Sequence, residues 1–107
     1  MPKKAMDSLT ESMFYVLMAL GNGPMCGIDI AGAIERCTNG RLRIGPATLY
    51  TILGKFEKEE YIEEIAVEGR KRTYQITDKG RTAYREELAR LRCCLEDAER
   101  MEGGCLQ

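Results

Sequence analysis

The chain contains no histidine and no tryptophan, and only two phenylalanines. Without histidine the commonest general base is missing, and with it the usual serine and cysteine triads and most zinc-binding recipes. An enzyme built from this sequence would have to work with carboxylates, cysteine, lysine or tyrosine. No phosphate-binding loop is present either, so neither catalytic activity nor a cofactor is expected. With so few large aromatics, no obvious aromatic pocket for a small molecule stands out. The five cysteines (Cys26, Cys37, Cys93, Cys94 and Cys105) are odd in number, include an adjacent pair and form no C-x-x-C. That usage suits reduced thiols in a cytosol better than a disulfide framework. The longest apolar run, Met13 to Leu20, falls far below the roughly 20 residues needed to span a bilayer. No basic-then-apolar leader ends in a small-residue cleavage site, so the protein is expected to be cytoplasmic, with no membrane partner.

What is present fits one small domain. A chain of 107 residues with 44% hydrophobic content can bury a modest core and has no room for a second one. The net charge of −1 gives no overall attraction to nucleic acid, so any such function must rest on local clusters of cations. Those clusters exist. Between Arg36 and Phe56 lie Arg36, Arg41, Arg43 and Lys55 with no acid, and Arg70-Lys71-Arg72 adds three more cations. The acids gather at Glu57 to Glu64 and at Glu86 to Glu102.

Ser8-Leu9-Thr10-Glu11 matches a capping box and predicts the start of a first helix, on which Leu9, Met13, Val16, Leu17 and Leu20 recur at helical spacing. Gly21 to Pro24 should end it. A second helix is expected from near Cys26, carrying Ile30, Ala33, Ile34 and Cys37, with Asn39-Gly40 as its left-handed stop. Gly45-Pro46 opens a third helix, proline suiting the first position because its missing N–H would have been unpaired there. Leu49, Ile52, Leu53 and Phe56 share one face of that helix. The opposite face is Ala47, Thr51, Gly54 and Lys58, flanked by Thr48 and Lys55 on one side and Tyr50 on the other. Small, hydroxyl and cationic side chains are what a helix lying in a major groove can use.

Ile65 and Val67, then Tyr74 and Ile76, alternate with polar neighbours, the period-two pattern of a hairpin whose tip is Glu68 to Arg72 with Gly69 in the turn. Thr77-Asp78 should cap a last helix reaching about Met101. On it Tyr84, Leu88, Leu91, Leu95 and Ala98 repeat at spacings of four and three, a coiled-coil-like stripe. The expected class is mainly α with a small β-hairpin. Residues 8–78 form a winged helix-turn-helix, residues 79–101 a long dimerisation helix, and residues 102–107 a flexible tail.

At these residues the chain resembles the PadR family of bacterial transcriptional regulators, over about Leu9 to Arg100. The features that carry the resemblance are Gly27-Ile28-Asp29-Ile30 opening the second helix, Thr48-Leu49-Tyr50 in the third, and Tyr74-Gln75-Ile76-Thr77-Asp78-Lys79-Gly80 after the hairpin. The resemblance implies a homodimeric repressor that binds an inverted-repeat DNA operator and is released by a small molecule or other effector. It implies that the third helix enters the major groove, with Thr48 and Tyr50 on phosphates or base edges and Lys55 further along. The tip from Arg70 to Arg72 would reach the backbone or a minor groove. The sequence departs from the family pattern at Ile28, where tyrosine is frequent, at Glu60, where glycine is usual, and at Gly54, a place more often held by a larger polar residue.

Each of these readings has a plainer rival. Arg70 to Arg72 could be a solvated hairpin tip, Tyr50 could pack against the hairpin, and Arg41 and Arg43 could be loop solubilisers rather than phosphate clamps. The Tyr84 to Ala98 stripe could pack within one subunit instead of forming a dimer interface. A winged helix can also serve protein-protein contact, which the acidic net charge favours. Cys93 and Cys94 point about 100° apart on a helix, so a disulfide within the pair would be strained; capture of a soft metal or redox sensing across a dimer could still use them, although no ligand set surrounds them and ordinary thiol packing is the simpler reading.

Overall fold

The computed structural model describes residues 9–106, and side chains as far as Gly103. Its elements, in chain order, are α1 (Glu11–Leu20), β1 (Met25–Cys26), α2 (Gly27–Cys37), α3 (Pro46–Lys58), β2 (Ile62–Glu68), β3 (Lys71–Ile76) and α4 (Asp78–Leu106). Three helices close around one core. Val16, Leu17 and Leu20 of α1 meet Ile30 and Ile34 of α2 and Leu53 and Phe56 of α3, all seven almost fully buried. Burial of each such side chain is worth about 1.5–3 kcal/mol, so the helical periodicity of α1 to α3 is what fixes their mutual packing.

The start of α1 differs from the capping-box expectation. Thr10 is the N-cap, its hydroxyl accepting from the Met13 N–H at 3.2 Å. The helix therefore begins two residues later than Ser8 would place it, and Ser8 lies outside the described residues. A threonine cap here leaves Glu11 in the first turn, where a carboxylate favours the helix dipole.

The sheet has three strands in the order β1-β3-β2, all antiparallel, where the sequence predicted a two-stranded hairpin. The added strand is only Met25 and Cys26, paired with Tyr74 and Thr73. In the hairpin proper, Ile62 faces Ile76 and Glu68 faces Lys71, with Gly69 at φ 63 in the two-residue turn. A bulge at Ile65 interrupts the register between Glu64 and Ala66. Beyond it the expected alternation fails, and both Ile65 and Val67 are exposed. A bulge lets one strand gain a residue and twist away from the sheet, here away from the helical core.

The exit of α3 is a Schellman closure. The Tyr61 N–H reaches the Phe56 carbonyl at 2.8 Å and the Glu60 N–H reaches that of Glu57 at 3.0 Å. The Phe56 and Tyr61 rings accompany it, 5.8 Å apart. Glu60 occupies the left-handed position at φ 64, which explains why glycine is at home there. The same corner receives α4. Thr77 donates its N–H to the Tyr61 carbonyl and its hydroxyl to the Glu60 carbonyl, at 2.9 and 2.7 Å, and that hydroxyl accepts from the Gly80 N–H at 3.0 Å. Gly80 lies so close that a Cβ would collide with the Tyr61 carbonyl oxygen. The Thr-x-x-Gly pattern thus has a mechanical reading: threonine caps the helix, and the absence of a side chain lets the helix reach the corner.

The long helix divides into two halves. Tyr84 stacks on Phe14 of α1, rings 5.1 Å apart, and belongs partly to the domain's own core rather than wholly to an outer stripe. Leu88 is half-buried, while every residue from Ala89 to Glu102 is exposed. The helix does not stop at Met101 but continues to Leu106, so Glu102 to Leu106, predicted as an irregular tail, extend it. Gly103-Gly104 lowers helix propensity without breaking the hydrogen-bond ladder as a proline would. Glu87 is the one buried charged residue among those described. Its carboxylate accepts from Arg90 at 3.0 and 2.5 Å. Those hydrogen bonds, the Arg90 charge and the Leu9 N–H together hold its pKa below the ordinary glutamate range against the opposing effect of burial.

Two substitutions at the corner should act in opposite directions in urea unfolding. Gly80→Ala should cost about 2 kcal/mol or more, because backbone cannot yield to the new methyl, and Glu60→Gly should add about 1 kcal/mol by removing the left-handed penalty. A pH dependence follows from Glu87. A depressed carboxylate stabilises the fold fully above its unfolded pKa and loses that contribution as pH falls through the folded value. Thermal melts across the acid range should show the native protein losing stability more steeply than Glu87→Gln below the ordinary glutamate range, with the variant melting lower at neutral pH.

Candidate nucleic-acid interface

Because Leu49, Ile52, Leu53 and Phe56 are locked in the core, the rest of α3 is forced outward. Ala47, Thr48, Tyr50, Thr51, Gly54, Lys55 and Lys58 are all exposed. Thr51 donates its hydroxyl to the Ala47 carbonyl at 2.9 Å, which leaves the oxygen free to accept. At Gly54 nothing lies within 4 Å of where a Cβ would stand. The fold therefore does not require glycine there, and a mid-helix glycine costs about 1 kcal/mol relative to alanine.

The exposed residues fall into two groups on either flank of α3. Ala47, Thr48, Thr51 and Lys55 line a recess of about 370 Å³ with Thr10 and Ser12 from the start of α1. Tyr50 lines the other, of about 450 Å³, with Arg70, Lys71 and Arg72 of the wing and Gly27, Ile28 and Asp29 of α2. The sequence placed the wing cations and Tyr50 in one interface, and the structure brings them to one cleft. Thr10, Ser12, Ile28 and Asp29 were not foreseen as neighbours of these residues. The hydroxyls just ahead of the apolar run of α1, and an isoleucine outside the apolar face of α2, were the available signals.

The cations differ in how free they are. At the wing, Arg72 pairs with Glu64 across the hairpin at 3.1 Å, whereas Arg70 and Lys71 have no ion pair among the described residues. Burial raises the pKa of Tyr74 beneath them, with Glu57 and Glu64 adding to the effect, so its hydroxyl stays protonated. Arg41 pairs with Glu11 at 2.9 Å and donates to the Tyr15 hydroxyl at 3.1 Å, with its guanidinium 5.9 Å from that ring centroid. Arg43 pairs with Glu35 at 3.4 Å. Both arginines thus tie the segment before α3 to α1 and α2. Exposed pairs of this kind contribute at most about 1 kcal/mol each, and Arg41 also neutralises the acid in the first turn of α1. Several of the acids at and beyond the end of α3, Glu57, Glu60, Glu63 and Glu64, line a separate recess with Ile62 and Thr77.

On α4, Leu91, Leu95 and Met101 are exposed together with Ala98. Cys93 and Cys94 are exposed free thiols, and an Arg90 guanidinium nitrogen lies 3.8 Å from the Cys94 sulfur. Among the described residues no three Cys, Asp or Glu side chains gather as a metal-binding set, and no helix is long and apolar enough to cross a membrane.

Residues 16–86, which run from α1 through the wing into α4, match the model of the transcriptional regulator PadR-like family. The chain belongs to that family. A 37.1 kDa protein in a transposon of Streptomyces fradiae is 34% identical over 84 residues, covering 76% of this chain but only 24% of that protein. Thus the chain spans about a quarter of that relative's length. Among solved structures, a transcriptional regulator from Clostridium thermocellum matches with a TM-score of 0.73 at 26% identity, over 82% of this chain and 89% of the other. The Bacillus subtilis PadR solved in complex with operator DNA shares the fold, with a TM-score of 0.65 at 22% identity over 74% of this chain and 48% of that one.

Proposed function

We propose that this PadR-like chain is a homodimeric DNA-binding regulator of transcription, a repressor that holds an inverted-repeat operator and is released by an effector. The observation that carries the reading is the outward face of α3, built of small, hydroxyl and cationic side chains, beside a wing whose Arg70 and Lys71 have no ion pair among the described residues. On a protein of net charge −1 such a face is a local arrangement, not a by-product of composition. The fold it shares with the operator-bound Bacillus subtilis protein supports the same reading.

Thr48, Thr51 and Lys55 would meet the major groove, and Arg70 and Lys71 the flanking backbone, where phosphate contacts set affinity and register. Arg41 and Arg43 would act on phosphates only by exchanging their carboxylate partners, so they rank behind the wing as clamps. The exposed half of α4 offers Leu91, Leu95, Ala98 and Met101 to a second copy. Two copies would place paired reading helices on half-sites about 34–36 Å apart. An effector would release the DNA by changing the angle between the two.

Duplex DNA titrations over a salt series test this. Lys55→Ala and Lys71→Ala should each weaken binding to all sequences and reduce the slope of log affinity against log salt by about 0.9 for every phosphate left without its cation. An unchanged slope for Lys71→Ala would show that the wing makes no phosphate contact.

A further inference from the structure

The cleft between the first turn of α2 and the wing has an apolar floor and a cationic rim. Ile28, the second residue of α2, is 81% exposed, the highest value for a large hydrophobic side chain among the described residues. Beside it lies the Tyr50 ring, also more than half exposed. The ring lies close over residue 27, which has no side chain. A Cβ at Gly27 would stand 3.1 Å from the Tyr50 hydroxyl oxygen and 3.4 Å from Cζ, so only glycine lets the ring lie on the first turn of α2 without displacement. Arg70, Lys71 and Arg72 form the rim, against one acid, Asp29.

An apolar floor under a row of cations suits a partner with apolar surface between its negative charges. A nucleic-acid backbone has that composition, since each sugar lies between two phosphates. An acidic peptide would satisfy the cations but bring further carboxylates to the isoleucine. We propose that this cleft seats a deoxyribose of the DNA backbone, with Ile28 and the Tyr50 ring against the sugar and Arg70 and Lys71 on the neighbouring phosphates. The proposal rests on the DNA-binding reading above and adds to it an uncharged contact, made by a residue where this sequence departs from its family.

Charge and apolar contact separate cleanly in a salt series, because only phosphate contacts release counterions. With mixed-sequence duplex DNA followed by fluorescence anisotropy, Ile28→Ser should bind about tenfold more weakly at every salt concentration, with the slope of the native protein. Ile28→Val should keep most of the affinity. Both variants should melt with the native protein, since the side chain is exposed. If the native protein binds DNA and Ile28→Ser binds equally well, the sugar contact is absent although the DNA-binding reading stands. If Ile28→Ser flattens the slope as Lys71→Ala does, the substitution has removed a phosphate interaction and the proposal is overturned. Displacement of DNA by polyglutamate from the native protein but not from Ile28→Ser would assign the cleft to an acidic peptide segment, also overturning it. No DNA binding by the native protein would sink both readings together.

Discussion

Three elements of this molecule meet at Tyr61. Its N–H closes α3 by donating to the Phe56 carbonyl, the wing begins with the next residue, and α4 starts from the Thr77 N–H that the Tyr61 carbonyl accepts. The contact is backbone to backbone, so no side-chain rotamer can loosen it, and Gly80 brings the second helix within reach. The directions of α3, the wing and α4 are therefore set at one joint. Everything proposed for the interface depends on those relative directions, because α3 and the hairpin tip can act on one ligand only if the corner holds them at a fixed angle. Glu60 leaves that joint under some backbone strain, at φ 64 in a residue with a Cβ.

The charge distribution follows the same division. Net charge is slightly negative, yet several acids near α3 are either paired or collected in a separate recess, with Asp29 left in the wing cleft. Glu11 is held by Arg41 and Glu64 by Arg72, while Glu57, Glu60 and Glu63 share a recess with Ile62 and Thr77. The ion pairs contribute little to stability, but they remove opposing charge from the surface around α3. Neutralising the acids locally achieves what a surplus of lysine and arginine would achieve globally, and without the non-specific adhesion that a high positive charge brings.

Much of this arrangement was legible in the sequence, and the parts that were not share a physical cause. The apolar spacing of α1 to α3, the Gly45-Pro46 start and the Thr77 cap are local signals, and they placed the helices within a few residues. The strand Met25–Cys26 has no local signal, since two residues become a strand only by pairing with Thr73 and Tyr74 about fifty positions away. The bulge at Ile65 depends likewise on the partner strand, which is why alternation alone misjudged Ile65 and Val67. The link between Arg41 and Glu11 spans thirty positions, and it makes Arg41, which reads as either a loop solubiliser or a phosphate clamp, a tie within the domain. Tyr84 fitted a heptad-like stripe by spacing, but Phe14 of α1 lies where it can stack on that ring. In the candidate interface, the faces of α3 and the wing followed from periodicity, whereas the company of Ile28 and Tyr50 required Gly27 to be seen beneath the ring.

The 29-residue α4 is a rod about 44 Å long, anchored over its first turns and bare from Ala89 to Glu102. It is therefore a lever with its fulcrum at Thr77. A tilt of about 5° there carries the far end through about 4 Å, slightly more than the roughly 3.4 Å rise of one base-pair step. Conversely, anything bearing on the helix near Leu95 would have mechanical advantage over the corner that aims α3, and a small force there would become a change of pitch in α3.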